Sequence, residues 1–198
     1  MLRQAVEVHH MAQLQTLNDR LDSRPWLAGR RAGSSLLEIE GWIPSDMKSV
    51  RSLVHQLSRL IEGSRCVVGD ESAVELALLE AVTNAVVHGN RLDPRRLVQV
   101  LCRCELSRGV SVVVKDQGQG FDPDAVANPP AVENRNAKRG RGIHLMKQTM
   151  DEVKFENNGT AVRMWKGAGR WQRACIRTGN QKVSTEGCRH HVAAVTET

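Results

Sequence analysis

The spacing of apolar residues changes along this chain of 198 residues, and that change limits the fold more than any other feature. Between positions 50 and 85 apolar residues recur every three or four positions, which predicts two helices that each bury one face. Residues 97–106 and 110–115 are instead β-branched and apolar, and Ser107-Arg108-Gly109 separates them, which predicts a β-hairpin. The chain therefore combines helices with paired strands.

Residues typical of helix ends mark the limits of these two helices. Ser45 or Asp46 is a preferred N-cap for the first helix, and Gly63 is expected to end it. Asp70 is a plausible N-cap for the second helix. We expect Gly89 to end that helix, because glycine readily adopts the left-handed conformation that closes many helices.

The remaining segments complete the predicted order of elements. Residues 36–43 form an edge strand, residues 117–139 are a long loop, and residues 142–150 form a third helix. Asn157-Asn158-Gly159 is a strong turn signal for a second hairpin. The order is β, α, α, β, β, loop, α, β, β. Antiparallel hairpins with helices on one face predict an α+β fold, a two-layer sandwich.

Composition and charge divide the chain into three parts. We expect a polar N-terminal extension over residues 1–34, one domain over 35–167, and a disordered basic tail over 168–198. The net charge of +6 raises the hypothesis of a nucleic-acid partner, but the charge lies largely in predicted loops and tails. Aromatic residues do not interleave with the basic ones, so direct nucleic-acid binding is disfavoured.

Cysteine usage and hydropathy bear on the compartment. The five cysteines are odd in number and contain no C-x-x-C pair, which favours free thiols over a disulfide framework or a metal site. No apolar run is as long as a membrane span, and the N-terminus lacks the apolar stretch of a signal peptide. We therefore expect a cytoplasmic protein with no membrane partner.

Glu80, Asn84 and His88 lie four residues apart on the second helix and share one face. Such a stripe is often merely the solvent-facing side of an amphipathic helix. The functional alternative is that Asn84 offers a neutral oxygen to Mg²⁺ while Glu80 orients a water or deprotonates a hydroxyl group. Phosphoryl transfer depends mainly on positioning and charge neutralisation, so this pair would suffice. We interpret His88 as structural.

Asp116-Gln117-Gly118-Gln119-Gly120 follows a predicted strand. An Asp-x-Gly turn is common and needs no function. Functionally, a carboxylate at a strand end can accept a hydrogen bond from the exocyclic amine of adenine, because it is an acceptor only. The glycines would let the backbone approach a flat ring.

Gly140-Arg141-Gly142 opens the third helix, and helix N-termini preceded by glycine turns can bind phosphate. No Gly-Lys-Ser/Thr follows, so this is not a P-loop, and no parallel βαβ unit surrounds it, so it is not a dinucleotide motif. Lys138, Arg139 and Arg141 are either a solvated basic loop or include a contact to the γ-phosphate. Thr160, which follows Gly159, is by itself explained by β-propensity.

These motifs, in this order, resemble those of the GHKL ATPase superfamily. Residues 80–84 resemble its N box, and 116–120 and 140–142 resemble its first and second glycine boxes; Gly159-Thr160 resembles its threonine that follows a glycine. Within the superfamily, residues 80–90, 140–146 and 150–153 are most similar to the anti-sigma factor serine-protein kinases of bacteria. The resemblance covers about residues 36–167.

The resemblance implies a Bergerat-type fold, in which helices cover one face of a mixed, mostly antiparallel sheet and ATP binds between the layers. It implies Glu80 as general base, Asn84 as the Mg²⁺ ligand, Asp116 as the reader of adenine, and residues 121–139 as a lid. The ATP contacts would be Asn84, Asp116, Gly118, Gly120, Gly140, Arg141, Gly142, Ile143 and Thr160.

For function, the resemblance implies a protein that sequesters a sigma factor or similar regulator and phosphorylates a serine on a small antagonist protein. Such proteins usually act as homodimers. The alternative hypothesis is an ATP-responsive switch that binds a regulator without useful kinase activity. Glu80 favours phosphate transfer, since a pure binder needs no base. A detached histidine kinase is disfavoured, because His9-His10 lie in a segment too short for a dimerisation bundle.

Overall fold

The computed structural model describes residues 27–32, 36–121 and 141–169 of the chain. The described part contains six strands, three α-helices and one π-helical turn. Their bounds are β1 Leu27–Ala32, β2 Leu36–Pro44, α1 Met47–Ser64, α2 Glu71–Asn84, the π turn Ala85–Gly89, β3 Leu97–Glu105, β4 Gly109–Lys115, α3 Arg141–Thr149, β5 Glu152–Glu156 and β6 Ala161–Lys166.

The strands form one sheet in the order β1-β2-β3-β4-β6-β5, and every pairing among the described strands is antiparallel. The predicted two-layer α+β fold is confirmed. One boundary was wrong: β1 lies inside the segment predicted to be a polar extension, so β2 is not an edge strand. Strand β1 was not predicted because its sequence, which includes Gly29, Arg30 and Arg31, shows little apolar alternation. Its backbone nevertheless pairs with β2 at the edge of the sheet.

The helices cover one face of the sheet. The register places Ile39, Cys102, Val112 and Met164 side by side in one row, and all four are buried. The next positions along these strands face the other side and include Glu38 and Arg103, which pair with each other. Full burial of a large aliphatic side chain contributes about 1.5–3 kcal/mol, so this row and the helices above it form the core.

Helix α1 begins as expected from its cap residue. The side chain of Asp46 accepts hydrogen bonds from the backbone N–H and from the hydroxyl of Ser49, each at 2.8 Å. These two bonds lower the pKa of Asp46. The helix continues past Gly63 to Ser64, and Arg65 adopts the left-handed conformation with φ of 53°. The predicted end at Gly63 was therefore wrong by one residue.

Helix α2 changes into a π-helical turn before it ends. The Asn90 backbone N–H donates to the Ala85 carbonyl five residues earlier at 2.8 Å. Gly89 lies within this turn and is not left-handed, so its predicted role as a helix-closing residue was wrong. Single π turns are frequent at functional sites, and they change the direction in which the following side chains point.

The second hairpin has the predicted turn. Asn157 and Asn158 have φ of 52° and 55°, and Gly159 has φ of 80°. Residues 122–140, which include Gly140 and most of the predicted loop and lid, and residues 170–198, which include most of the predicted tail, lie outside the described residues. Within the described ranges, no helix combines the length and the apolar character that a bilayer crossing requires.

The prediction of free thiols is confirmed for Cys66, Cys102 and Cys104, which are all buried. The Sγ atoms of Cys102 and Cys104 lie 4.0 Å apart on the helix-facing side of β3, as expected for residues two apart on a strand. A hydrogen bond with Cys104, together with burial, raises the pKa of the Cys66 thiol. The Cys66 thiol is therefore a protonated core residue.

Candidate functional site

A cavity of about 510 Å³ lies between α2, its π turn, α3 and the ends of β4 and β6. Its size is within the range of about 300–1,000 Å³ that is usual for small-molecule sites. Residues that are far apart in the sequence line it together. Those singled out from the sequence are Glu80, Asn84, Asp116, Gly120, Gly142, Ile143 and Thr160.

Among the described residues, two of the sequence-predicted site residues do not line the cavity. Gly118 and Arg141 are described but do not line the cavity, and Gly140 lies outside the described residues. His88, which was interpreted as structural, does line it. Glu80, Asn84 and His88 therefore all border the cavity.

The first turn of α3 packs directly on the side chains of α2. A Cβ atom on Gly142 would lie 2.4 Å from Glu80 Oε2 and 3.4 Å from Asn84 Nδ2. Only glycine permits this approach with Glu80 in its present position. The start of α3, where the first N–H groups have no carbonyl partner within the helix and the helix dipole is positive, therefore lies beside one carboxylate and one carboxamide.

Asp116 lies directly after β4 and is held by backbone groups. Its N–H donates to the Thr160 carbonyl at 2.9 Å, and its Oδ1 accepts from the Gly118 N–H at 2.8 Å. Burial raises the pKa of Asp116, while the Gly118 N–H and the charge of Arg96 act in the opposite direction. A half-buried carboxylate with one oxygen already bonded has an acceptor oxygen left for a ligand.

Two glycines allow the backbone to close around this carboxylate. A Cβ on Gly89 would lie 2.4 Å from Asp116 Cγ, and a Cβ on Gly118 would lie 2.3 Å from the Gly89 carbonyl oxygen. Gly118 therefore acts on the turn and not on the cavity surface. The contact between Gly89 and Asp116 was not predicted from the sequence, because the two residues are 27 positions apart in the chain.

The β5–β6 turn forms another wall. The Phe121 N–H donates to the Asn158 carbonyl at 3.0 Å, and a Cβ on Gly120 would lie 2.0 Å from that same oxygen. The Thr160 hydroxyl donates to the Asn157 carbonyl at 2.8 Å. The threonine hydroxyl thus stabilises the turn that borders the cavity.

The apolar part of the wall was also missed from the sequence. Phe121 and Phe155 are the only phenylalanines in the chain, and both line the cavity. Their rings meet edge to face with centroids 5.4 Å apart. Met146, Val114 and Val162 complete this surface. A mostly apolar wall beside a few convergent polar groups is the usual composition of a ligand site.

Comparison with known proteins gives consistent matches to one protein family and to three relatives reported below. Residues 43–166 match the histidine kinase-like ATPase domain. The anti-sigma F factor of Geobacillus stearothermophilus is 32% identical over 107 residues, which is 52% of this chain and 73% of that protein. The anti-sigma F factor of Clostridium novyi (strain NT) is 31% identical over 98 residues, or 47% of this chain and 68% of that protein. The serine-protein kinase RsbW of Staphylococcus epidermidis is 28% identical over 135 residues, or 65% of this chain and 85% of that protein.

Proposed function

Because this chain belongs to the family of histidine kinase-like ATPase domains, we propose that it is an ATP-dependent serine-protein kinase of the anti-sigma factor type. The observation that carries this proposal is the convergence of Glu80, Asn84, Asp116 and Gly142 on one cavity. Two relatives carry the name anti-sigma F factor, and a third is called a serine-protein kinase.

The dimensions of the site favour an elongated ligand. Glu80 and Gly89 are nine residues apart on one helical segment, which corresponds to roughly 13 Å along its axis. Gly142 contacts Glu80 at one end of this segment, and Asp116 contacts Gly89 at the other end. A base near Asp116 and phosphates near the start of α3 would use both ends. In this proposal Gly120 and Thr160 border the base, and Arg141 and Ile143 belong to the phosphate end with Gly140.

The residues around Gly142 fit a hydrated magnesium ion. Mg²⁺ prefers oxygen ligands and usually takes only one or two from protein, so the Asn84 carboxamide oxygen would hold it. When bound, Mg²⁺ would neutralise phosphate charge. The glycine at 142 lets the Glu80 carboxylate and the Asn84 carboxamide lie beside the first turn of α3, whose backbone N–H groups would receive phosphate oxygens.

Glu80 would act as the base. Its carboxylate would accept the proton of a serine hydroxyl as that oxygen attacks the γ-phosphorus, while the bond from the γ-phosphorus to the β–γ bridging oxygen breaks and ADP leaves. The carboxylate is partly exposed in the cavity and is reachable from the start of α3. In the proposed biological role, the protein sequesters a sigma factor or similar regulator, phosphorylates a serine on a small antagonist protein, and acts as a homodimer in the cytoplasm.

The test compares Glu80→Gln with Glu75→Gln, an exposed carboxylate on the same helix that does not line the cavity. Partners would be captured from the source cell with and without ATP, and transfer of radiolabelled γ-phosphate to them would be measured. We expect Glu80→Gln to lower the transfer rate about 10²–10⁴-fold and to leave ATP affinity nearly unchanged, with no effect of Glu75→Gln.

The two alternative functions give different results in the same assay. ATP-dependent capture with no labelled product from the unchanged protein would favour the ATP-responsive switch. Absence of measurable ATP binding in a calorimetric titration would refute both functions.

A further inference from the structure

Asn90 is a fully buried polar residue that follows the π turn, and it joins four segments of the fold. It has 0% exposure. Its Nδ2 donates to Ser45 Oγ at 2.8 Å and to the Leu97 carbonyl at 3.1 Å, and its Oδ1 accepts from the Gln117 N–H at 2.8 Å. Buried amides with three satisfied bonds rigidify their surroundings, because each group would be costly to leave unpaired.

The bond to Gln117 controls the turn that carries Asp116. On one side of this residue, the Asp116 N–H is tied to the Thr160 carbonyl. On the other side, the next N–H along the backbone is tied to the Asn90 side chain. The Gln117 carbonyl and side chain contact Arg96 and Leu97, which belong to the same junction. Among the described residues, Asn90 supplies the side-chain oxygen that fixes this peptide.

The backbone after Asn90 is held in an unfavourable conformation. Arg91 and Leu92 both have φ of 57°, and the Asp93 N–H donates to the Asn90 carbonyl at 3.2 Å, as in a type I′ turn. Such turns favour Asn or Gly at the two central positions, and here Arg and Leu occupy them. Conformations of this kind persist where the surrounding structure over-determines them, and they cluster at functional sites.

We propose that Asn90 is a positioning residue, which sets the orientation of the Asp116 carboxylate and thereby the preference for a base with an exocyclic amine at C6. This inference rests on the proposed function, since it requires that Asp116 contact adenine. Hydrogen bonds weaken steeply when the donor and acceptor are misaligned. When the Gln117 N–H loses its bond to Asn90, the peptide beside Asp116 is free to move. The expected loss of binding energy is therefore confined to the hydrogen bond between the Asp116 carboxylate and the amine of the base.

The experiment measures Kd for ATP and for purine riboside 5′-triphosphate, which lacks the 6-amino group. Melting temperature is recorded for each protein. We expect the unchanged protein to prefer ATP by about tenfold or more, the value of a hydrogen bond to a charged group. In Asn90→Ala the preference falls to within about twofold, because ATP binding weakens while binding of the analogue stays the same.

Ser45→Ala is the matched control. It removes another partner of Asn90 in the same buried junction, Ser45 being 1% exposed, without touching the bond to Gln117. We expect a lower Tm and an unchanged preference for ATP. If Asn90→Ala does not fold, Asn90→Ser replaces it, because the serine oxygen lies one bond nearer the backbone and cannot reach Gln117. The same loss of preference is expected.

The outcomes separate the inference from the function on which it rests. A lower Tm with full ATP preference in the Asn90 variant would mean that Asn90 is structural only, and the inference would be wrong while the function stands. Equal binding of both triphosphates by the unchanged protein would remove the base-reading role of Asp116 and the inference with it. No binding of either would overturn the proposed function itself.

Discussion

The two ends of the cavity are held together in different ways. Around Asp116, backbone packs on backbone: Cβ atoms on Gly118 and Gly120 would lie 2.3 Å and 2.0 Å from the carbonyl oxygens of Gly89 and Asn158. Around Gly142, backbone packs on the end of a flexible side chain, that of Glu80. The first arrangement cannot yield without moving main chain, whereas the second can yield by a side-chain rotation. We infer that the end at Asp116 is preorganised and the end at Gly142 is adjustable.

The largest effect on stability is expected at the rigid end. Gly120→Ala puts a Cβ onto the Asn158 carbonyl at a residue with φ of 76°, so we expect a loss of about 3 kcal/mol, the upper end of ordinary substitutions. Urea denaturation measures it. Gly69→Ala is the matched control: Gly69 has φ of 90° but nothing within 4 Å of the added carbon, so only backbone strain of about 1–2 kcal/mol applies. Equal losses in the two variants would show that the close contact is not rigid.

Asp116→Asn tests the end of the cavity at Asp116 through its effect on ATP binding. The change removes the charged acceptor, and we expect ATP affinity to fall about tenfold. Calorimetric titration of ATP measures it, and Glu75→Gln serves as a control for loss of one negative charge on the surface. An unchanged ATP affinity would contradict the assignment of Asp116 to the base.

The pKa of Asp116 predicts how pH acts on this end. Burial raises the pKa of Asp116 above 3.8, so between pH 3.8 and the folded-state pKa the folded protein retains a proton that the unfolded chain has already lost. The ionised carboxylate therefore costs stability above the folded-state pKa, and this cost disappears below pH 3.8. We expect Asp116→Asn to melt at a higher temperature than the unchanged protein at pH 7 and at the same temperature below pH 3.8. A constant difference in Tm across this range would be the contradictory result.

The smallest effect is expected at the adjustable end. Gly142→Ala displaces the Glu80 carboxylate, so we expect ATP affinity to fall only about threefold with little change in Tm. The double variant with Glu80→Ala identifies the cause. If Gly142→Ala acts through Glu80, its effect disappears when that side chain is absent. If it acts directly on bound phosphates, the two effects add.

Local signals accounted for most of the elements. The cap at Asp46, the hairpin turn at Asn157-Asn158 and the strand pair around Gly109 are all where the sequence predicted them. These features depend on neighbours within a few residues, so a single sequence contains them. Strand β1 was missed for the converse reason, because its pairing with β2 uses backbone groups that carry no residue-specific pattern.

The site was predictable in part. The spacing of Glu80, Asn84 and His88 on one helix indicated a common face, and all three do border the cavity. The contacts that close the site were not predictable. Gly89 was interpreted as a helix end and Asn90 was given no separate role, yet Gly89 packs on Asp116 and Asn90 bonds to Gln117. Both partners are 27 residues away in the chain.

By itself the sequence determined most of the element types, the turn chemistry and the set of groups available for a nucleotide, because helical period, strand alternation and capping are local properties. Only the tertiary structure decided why glycine is needed at 89, 118 and 142 and which amide holds the peptide beside Asp116. The physical reason is that steric exclusion and buried hydrogen bonds act between atoms within a few ångströms, whatever their separation along the chain.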